Sequence, residues 1–91
     1  MKYVLFYESA ADVRAKAPPH AAAHRAHIDD FRARDTLLMI GTFADPQAEG
    51  SMAIFSAREA AEEFAATDPL VLHGVVRRWY VRGWNEILTG G

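Results

Sequence analysis

The sequence contains no cysteine, which excludes a disulfide framework, a thiolate nucleophile and a zinc site built on cysteine. It also lacks an excess of charge: ten Lys and Arg against twelve Asp and Glu give a net charge of −2, which does not favour nucleic acid or an anionic membrane as a partner. No apolar run approaches the ~20 residues of a membrane span, and the opening "MKYVLFYES" is too short for a signal peptide. We therefore expect a cytoplasmic protein.

Three catalytic signatures are missing as well. The chain has no Gly-rich phosphate loop, no nucleophile elbow and no dinucleotide fingerprint. This argues against kinase, serine-hydrolase and dehydrogenase functions. No feature of the sequence requires haem, flavin or any other cofactor, so none is expected.

What is present is the composition of one globular domain. Of the 91 residues, 51% are apolar and 24% charged, so we expect a single domain over residues 1–91. The hydrophobic period switches between two and 3.6 along the chain. The predicted elements are a strand at 3–7, a helix from Pro18 or Pro19 to about Arg34, strands at 37–43 and 51–55, a helix after Ser56, and a strand at 75–84.

The second helix has the clearest boundaries. Ser56, with Glu59 three residues later, matches a capping box and predicts the helix start. Pro69 predicts its end, because proline disfavours helical backbone at the preceding residue, Asp68. The segment "ADPQAEG" (44–50) between the second and third strands reads as a turn.

The order β-α-β-β-α-β predicts an α+β fold of the ferredoxin-like kind, with two helices on one face of a four-stranded antiparallel sheet. The other face carries large apolar side chains whether the odd or the even positions of the first strand point to it. These are either Tyr3, Leu5 and Tyr7 or Val4 and Phe6. Monomers rarely expose such a patch. We therefore predict a homodimer whose sheets face each other.

The first helix contains three histidines with different orientations. On a helical wheel His24 lies in the middle of the apolar stripe and points toward the sheet, whereas His20 and His27 lie toward one margin. His24 is therefore either a core residue satisfied by a backbone carbonyl or a functional group. His20 and His27 are predicted to be solvated or at the rim.

A metal site is a third interpretation of these histidines. His24 could share an ion with His20 or with His27, but positions 20 and 27 are about 10 Å apart along a helix axis. No carboxylate shares the inward stripe, and a catalytic zinc usually takes three protein ligands. No metal site is predicted.

Asp68 is the predicted partner of His24. In the split βαβ topology the two helices are antiparallel neighbours, so the start of the first and the residues after the second lie at the same end. A carboxylate that accepts from one imidazole nitrogen fixes the tautomer and leaves the other nitrogen for a substrate proton. Asp68 could also be no more than a turn residue before proline.

The whole chain resembles one known family. The resemblance rests on "KYVLFYE", on a histidine followed seventeen residues later by the glycine of "LLMIGTF", on "GSMAIF", on "SAREAAEEFAATDPLVLHGVV" and on "RRWYVRGWNE". These stretches are similar to the YCII-related (YciI-like) proteins, small dimeric α+β barrels. The resemblance implies that His24 and Asp68 form the active-site pair. It also implies a small-molecule ligand, and some relatives catalyse dehalogenation or lyase-type steps on hydroxylated rings.

Three positions depart from the family pattern. The family often has glycine in place of Asp35, proline in place of Thr42 and an aromatic residue in place of Leu70. Thr42 and Leu70 are expected to lie near the pocket.

Two classes of function follow. The first is a cofactor-independent enzyme of lyase, isomerase or dehalogenase type, in which His24 transfers a proton on a small ring or carbonyl substrate. An anionic group of the substrate could be held by Arg77, Arg78 or Arg82 of the last strand, although exposed arginines on a long strand are usually solvated. The alternative is a non-catalytic, small-ligand-binding or accessory dimer that keeps the His24–Asp68 pair for recognition.

Overall fold

A computed structural model describes residues 1–88 of the chain. The strands are β1 (Lys2–Ser9), β2 (Leu37–Thr42), β3 (Ser51–Phe55) and β4 (Val76–Trp84). The helices are α1 (Val13–Lys16), α2 (Ala21–Ala33), α3 (Pro46–Glu49), α4 (Arg58–Thr67) and α5 (Pro69–Leu72), and a 3₁₀ turn at Pro18–His20 leads into α2. None of the helices in this described part is long and apolar enough to cross a membrane.

The sheet has the strand order β2-β3-β1-β4, and every neighbouring pair is antiparallel. β1 is a central strand, with β3 on one side and β4 on the other. This topology confirms the predicted ferredoxin-like α+β fold.

The core lies between the sheet and the two longer helices. Leu5 and Tyr7 of β1 pack in one cluster with Phe55 of β3, Phe31 of α2 and Phe64 of α4. The Phe31 and Phe64 rings meet edge to face with their centroids 5.1 Å apart, which joins α2 to α4. The helices therefore cover the face of β1 that carries Leu5 and Tyr7.

The opposite face of the sheet is not covered by any element of the described chain. It presents Phe6 and Tyr80, whose rings stack at 5.2 Å, and the neighbouring Ile54. At its margins Trp84 is 45% and Met39 is 67% exposed. The large apolar patch predicted from the sequence is therefore present in the single chain.

The predicted capping box at α4 is wrong. The N-cap is Ala57, and no side chain caps the helix. The Ser56 amide donates instead to the carbonyl of Thr36, the residue before β2, at 2.9 Å. The helix begins after Ser56, at Arg58. The segment predicted as a simple turn at 44–50 contains the short helix α3.

Asp35, the second residue after α2, has a left-handed backbone with φ of 58°. YCII-related proteins often have glycine at this position, and glycine adopts this conformation without the steric clash of a Cβ. We expect Asp35→Gly to raise the free energy of unfolding by about 0.5–1 kcal/mol, measured by urea denaturation. The control is Ala26→Gly in α2, which should lower it by about 1 kcal/mol. Equal losses in both variants would contradict the interpretation.

Candidate active site

Asp68 is placed by the junction between α4 and α5. Its backbone is extended (φ −68°, ψ 126°), as predicted for the residue before Pro69. Its side chain caps α5, because Oδ1 accepts a hydrogen bond from the Leu70 amide at 3.0 Å. The residue is completely buried. Asp68 is therefore more than a turn residue: it is a carboxylate inside the protein.

Two side chains from other elements meet this carboxylate. The Tyr7 hydroxyl donates to Oδ2 at 2.7 Å, and Nδ1 of His24 lies 2.8 Å from Oδ1. The predicted contact between His24 and Asp68 is confirmed, and the partner of His24 is a carboxylate rather than a backbone carbonyl. Because a carboxylate only accepts, Nδ1 carries the proton. Nε2 of His24 has no hydrogen-bond partner within residues 1–88.

The hydrogen bonds determine the charge state of the site. Burial by itself would raise the pKa of Asp68, but donation from His24, Tyr7 and the Leu70 amide outweighs it and lowers the pKa below its usual range. Burial and the negative charge of Asp68 raise the pKa of Tyr7 far above its ordinary value. Asp68 is therefore a carboxylate and Tyr7 a neutral hydroxyl at neutral pH.

His24 borders a cavity of about 770 Å³ and is 22% exposed there. Its walls are mainly apolar, with polar groups contributed by a few side chains, among them Ser9, Gln47 and Ser51. A second cavity of about 370 Å³ also touches His24, on the side of Ile28 and Ile40. The volume and the mixture of apolar walls and few polar groups are typical of small-molecule sites.

The other histidines of this region have different partners. His27 lies at the rim of the core, where Nε2 is 2.9 Å from the Phe64 carbonyl oxygen. His20 stacks on His73, with the ring centroids 4.3 Å apart. Over residues 1–88 no group of three or more His, Asp or Glu side chains is arranged to hold a metal ion.

The arginines of β4 do not line the cavity of His24. Arg77 and Arg78 pair with Glu8, at 2.7 and 3.4 Å. Arg82 lies over the rings of Phe6 and Tyr80 on the uncovered face of the sheet. The expectation that one of these arginines holds a substrate anion at this site is therefore wrong for the single chain, because β4 directs them to carboxylates and rings elsewhere.

The family that matches this chain is the YCII-related domain, over residues 1–85. The chain belongs to the YCII-related family. No curated protein sequence matches it significantly. A solved structure that it resembles is 5-chloro-2-hydroxyhydroquinone dehydrochlorinase (TftG) from Burkholderia phenoliruptrix, in complex with 2,5-dihydroxybenzoquinone. The TM-score is 0.75 with 19% sequence identity, and the alignment covers 100% of both chains. This likeness shows that the two proteins share one fold.

Two departures from the YCII-related pattern fall at the site. Thr42 and Leu70 both line the larger cavity, as expected from their positions. Sequence reasoning did not identify Tyr7 as part of the site. The sequence did contain a signal for Tyr7, because it lies on the same face of β1 as Leu5 and is therefore expected in the core. A buried tyrosine hydroxyl needs a hydrogen-bond partner, which points to a polar group nearby.

Proposed function

We propose that this YCII-related protein is a cofactor-independent enzyme in which His24 transfers a proton on a small ring or carbonyl substrate. The observation that carries the proposal is the unequal state of the two imidazole nitrogens. Nδ1 is held by the buried Asp68, whereas Nε2, on a side chain that borders the cavity, has no hydrogen-bond partner among the described residues 1–88. This is the arrangement of a general acid–base histidine with an orienting carboxylate.

Three side chains have separate roles in this proposal. His24 exchanges the proton through Nε2. Asp68 fixes the ring and stabilises the imidazolium that forms when Nε2 takes up a proton. Tyr7 is a positioning residue, because its hydroxyl occupies Oδ2 and leaves Oδ1 for His24 and the Leu70 amide.

An elimination illustrates the chemistry. Nε2 of His24 takes a proton from the substrate, the electrons of that bond form a new double bond, and halide leaves with its bonding pair. In an isomerisation the same nitrogen returns the proton to another atom. The fold shared with TftG, named as a dehydrochlorinase of a hydroxylated ring, supports this class of reaction.

The test is a panel of hydroxylated and halogenated aromatic compounds and small lactones. Binding is measured by calorimetry, and conversion is followed by absorbance and halide release with dialysed protein and no added cofactor. Conversion of at least one compound is the expected result. Tight binding without conversion across the panel would contradict the enzyme and favour the ligand-binding module.

We also propose that the chain forms a homodimer through the uncovered face of its sheet. The support is the stacked Phe6 and Tyr80 pair with Ile54 and the exposed Met39 and Trp84 beside it. A stable interface buries about 800 Å² on each partner, and an apolar sheet face of this kind supplies the core of such a contact.

The assembly is tested by sedimentation at micromolar concentration. We expect twice the 10.1 kDa mass of the chain for the unmodified protein. Ile54→Lys, which puts a charge on the uncovered face, should give the monomer. Ala26→Lys, at an exposed position of α2, is the matched control and should stay dimeric. A stable monomer of the unmodified protein would reject the dimer.

A further inference from the structure

Arg14 differs from the other arginines in having no side-chain partner within the part of the chain that the structure describes. Among the eight arginines, five pair with carboxylates and two lie over aromatic rings: Arg25 and Arg32 with Asp29, Arg34 with Asp30 and Glu63, Arg77 and Arg78 with Glu8, Arg58 over Tyr3, and Arg82 over Phe6 and Tyr80. Within residues 1–88, Arg14 has neither a carboxylate within 4.0 Å nor a ring contact. Its guanidinium is therefore available to a ligand.

The position of Arg14 is in the wall of the large cavity, which it shares with His24. Among the described residues that line the cavity, one has a carboxyl side chain: Asp45, whose Oδ1 caps α3 by accepting from the Ala48 amide at 3.4 Å. Among the described residues that line this mainly apolar cavity, Arg14 alone is permanently cationic.

Hydrogen bonds fix the backbone that carries Arg14. Gln47 of α3 accepts from the Val13 amide at 2.9 Å through Oε1 and donates to the Ala10 carbonyl at 2.8 Å through Nε2. The Ser9 hydroxyl donates to the Pro46 carbonyl at 2.6 Å. These hydrogen bonds attach α1 and the residues before it to α3. The backbone of Arg14 is therefore held in a defined position.

We propose that Arg14 is a specificity-determining residue that binds the carboxylate of a small ring-containing acid, with the ring on the apolar walls toward His24. The inference deepens the proposed function and rests on it for the reaction at His24. A guanidinium matches a carboxylate with two parallel hydrogen bonds. A single guanidinium balances one negative charge, and Asp45 in the same lining disfavours a second, so a monocarboxylate fits the cavity better than a phosphate dianion.

The test compares 4-hydroxybenzoate with 4-hydroxybenzamide, two probes of the same shape that differ in charge. By calorimetry we expect the unmodified protein to bind the carboxylate about 10-fold more tightly or better. Arg14→Gln should remove this preference by weakening the carboxylate alone, and Arg14→Lys should keep part of it. Arg32→Gln, which removes an equal charge from α2 outside the cavity, should keep all of it.

Three results would overturn the role of Arg14: an undiminished preference in Arg14→Gln, an equal loss in Arg32→Gln, or no saturable binding of 4-hydroxybenzoate to the unmodified protein. Thermal melting of each variant shows whether it is folded, and Arg14 is exposed, so its replacement leaves the core intact. The readout is affinity without turnover. Failure of this inference is therefore distinct from failure of the proposed enzyme, which is judged by conversion.

Discussion

Replacing His24 by glutamine is expected to lower kcat by about 10²–10⁴-fold, the usual contribution of a positioned general acid or base. Glutamine keeps a hydrogen-bonding group of similar length beside Asp68 but neither takes up nor releases a proton near neutral pH. The fold and most of the ligand affinity should therefore survive, and the loss should appear in kcat rather than in KM. The measurement is steady-state turnover of a compound that the unmodified protein converts.

His20→Gln is the matched control for this variant. His20 stacks on His73 and contacts neither Asp68 nor the large cavity, so its replacement should leave kcat unchanged. Asp68→Asn should lower kcat in the same direction as His24→Gln but less, because the charge that stabilises the imidazolium is lost while the proton-transferring ring remains. Full turnover by His24→Gln would exclude proton transfer by this residue.

Replacing Asp68 by alanine is expected to lower the free energy of unfolding by about 2–5 kcal/mol at pH 7, a large part of the stability of a small domain. The change leaves the buried Tyr7 hydroxyl and the Leu70 amide without their acceptor and opens a void at a site with no solvent exposure. Tyr7→Phe is the control. This variant removes one of the three donors to Asp68 and should lower the free energy of unfolding by about 1 kcal/mol. Urea denaturation of both variants gives the comparison. A loss in Asp68→Ala no larger than in Tyr7→Phe would show that the network around the carboxylate contributes little.

The same carboxylate makes stability depend on pH in a known direction. The pKa of Asp68 is lower in the folded chain than its unfolded value, about 3.9. Its contribution is therefore fully present above pH 4 and is lost as the pH falls through the folded-state pKa. The stability difference between the unmodified protein and Asp68→Asn should shrink as the pH falls from about 4 to the acid limit of folding. A difference that stays constant over this range would contradict the shift.

The sequence was sufficient to predict the order of the four strands and the two longer helices, and the meeting of His24 with Asp68. Both follow from local patterns that the topology then combines: the apolar stripe of α2 directs His24 inward, and Pro69 ends the preceding helix at Asp68. The shared end of the two helices brings the residues together. The catalytic roles of these residues are predictions, since a hydrogen bond between two side chains does not by itself establish a reaction.

Other parts of the site depend on contacts between distant segments and carry little local signal. The wall with Arg14 is a four-residue helix held by Gln47, too short to show a helical period. The capping box at Ser56 failed because the Ser56 amide, which a capping box pairs with the Glu59 side chain, donates to the Thr36 carbonyl instead. A sequence pattern indicates the local conformational preference of a segment. The conformations of these two segments are set by hydrogen bonds to residues that are distant in sequence.

The central place of β1 has a consequence for the order in which the protein can fold. Of the four strands of this sheet β1 is synthesised first, yet its two partners, β3 and β4, begin at Ser51 and Val76. The side-chain bonds of Asp68 likewise span 61 and 44 positions, to Tyr7 and His24. Loop closure of this length slows folding, because chain entropy is lost before the distant contacts form. During synthesis β1 must wait unpaired until much of the chain has been made, and the Tyr7–Asp68–His24 network is assembled only when the sheet closes around it.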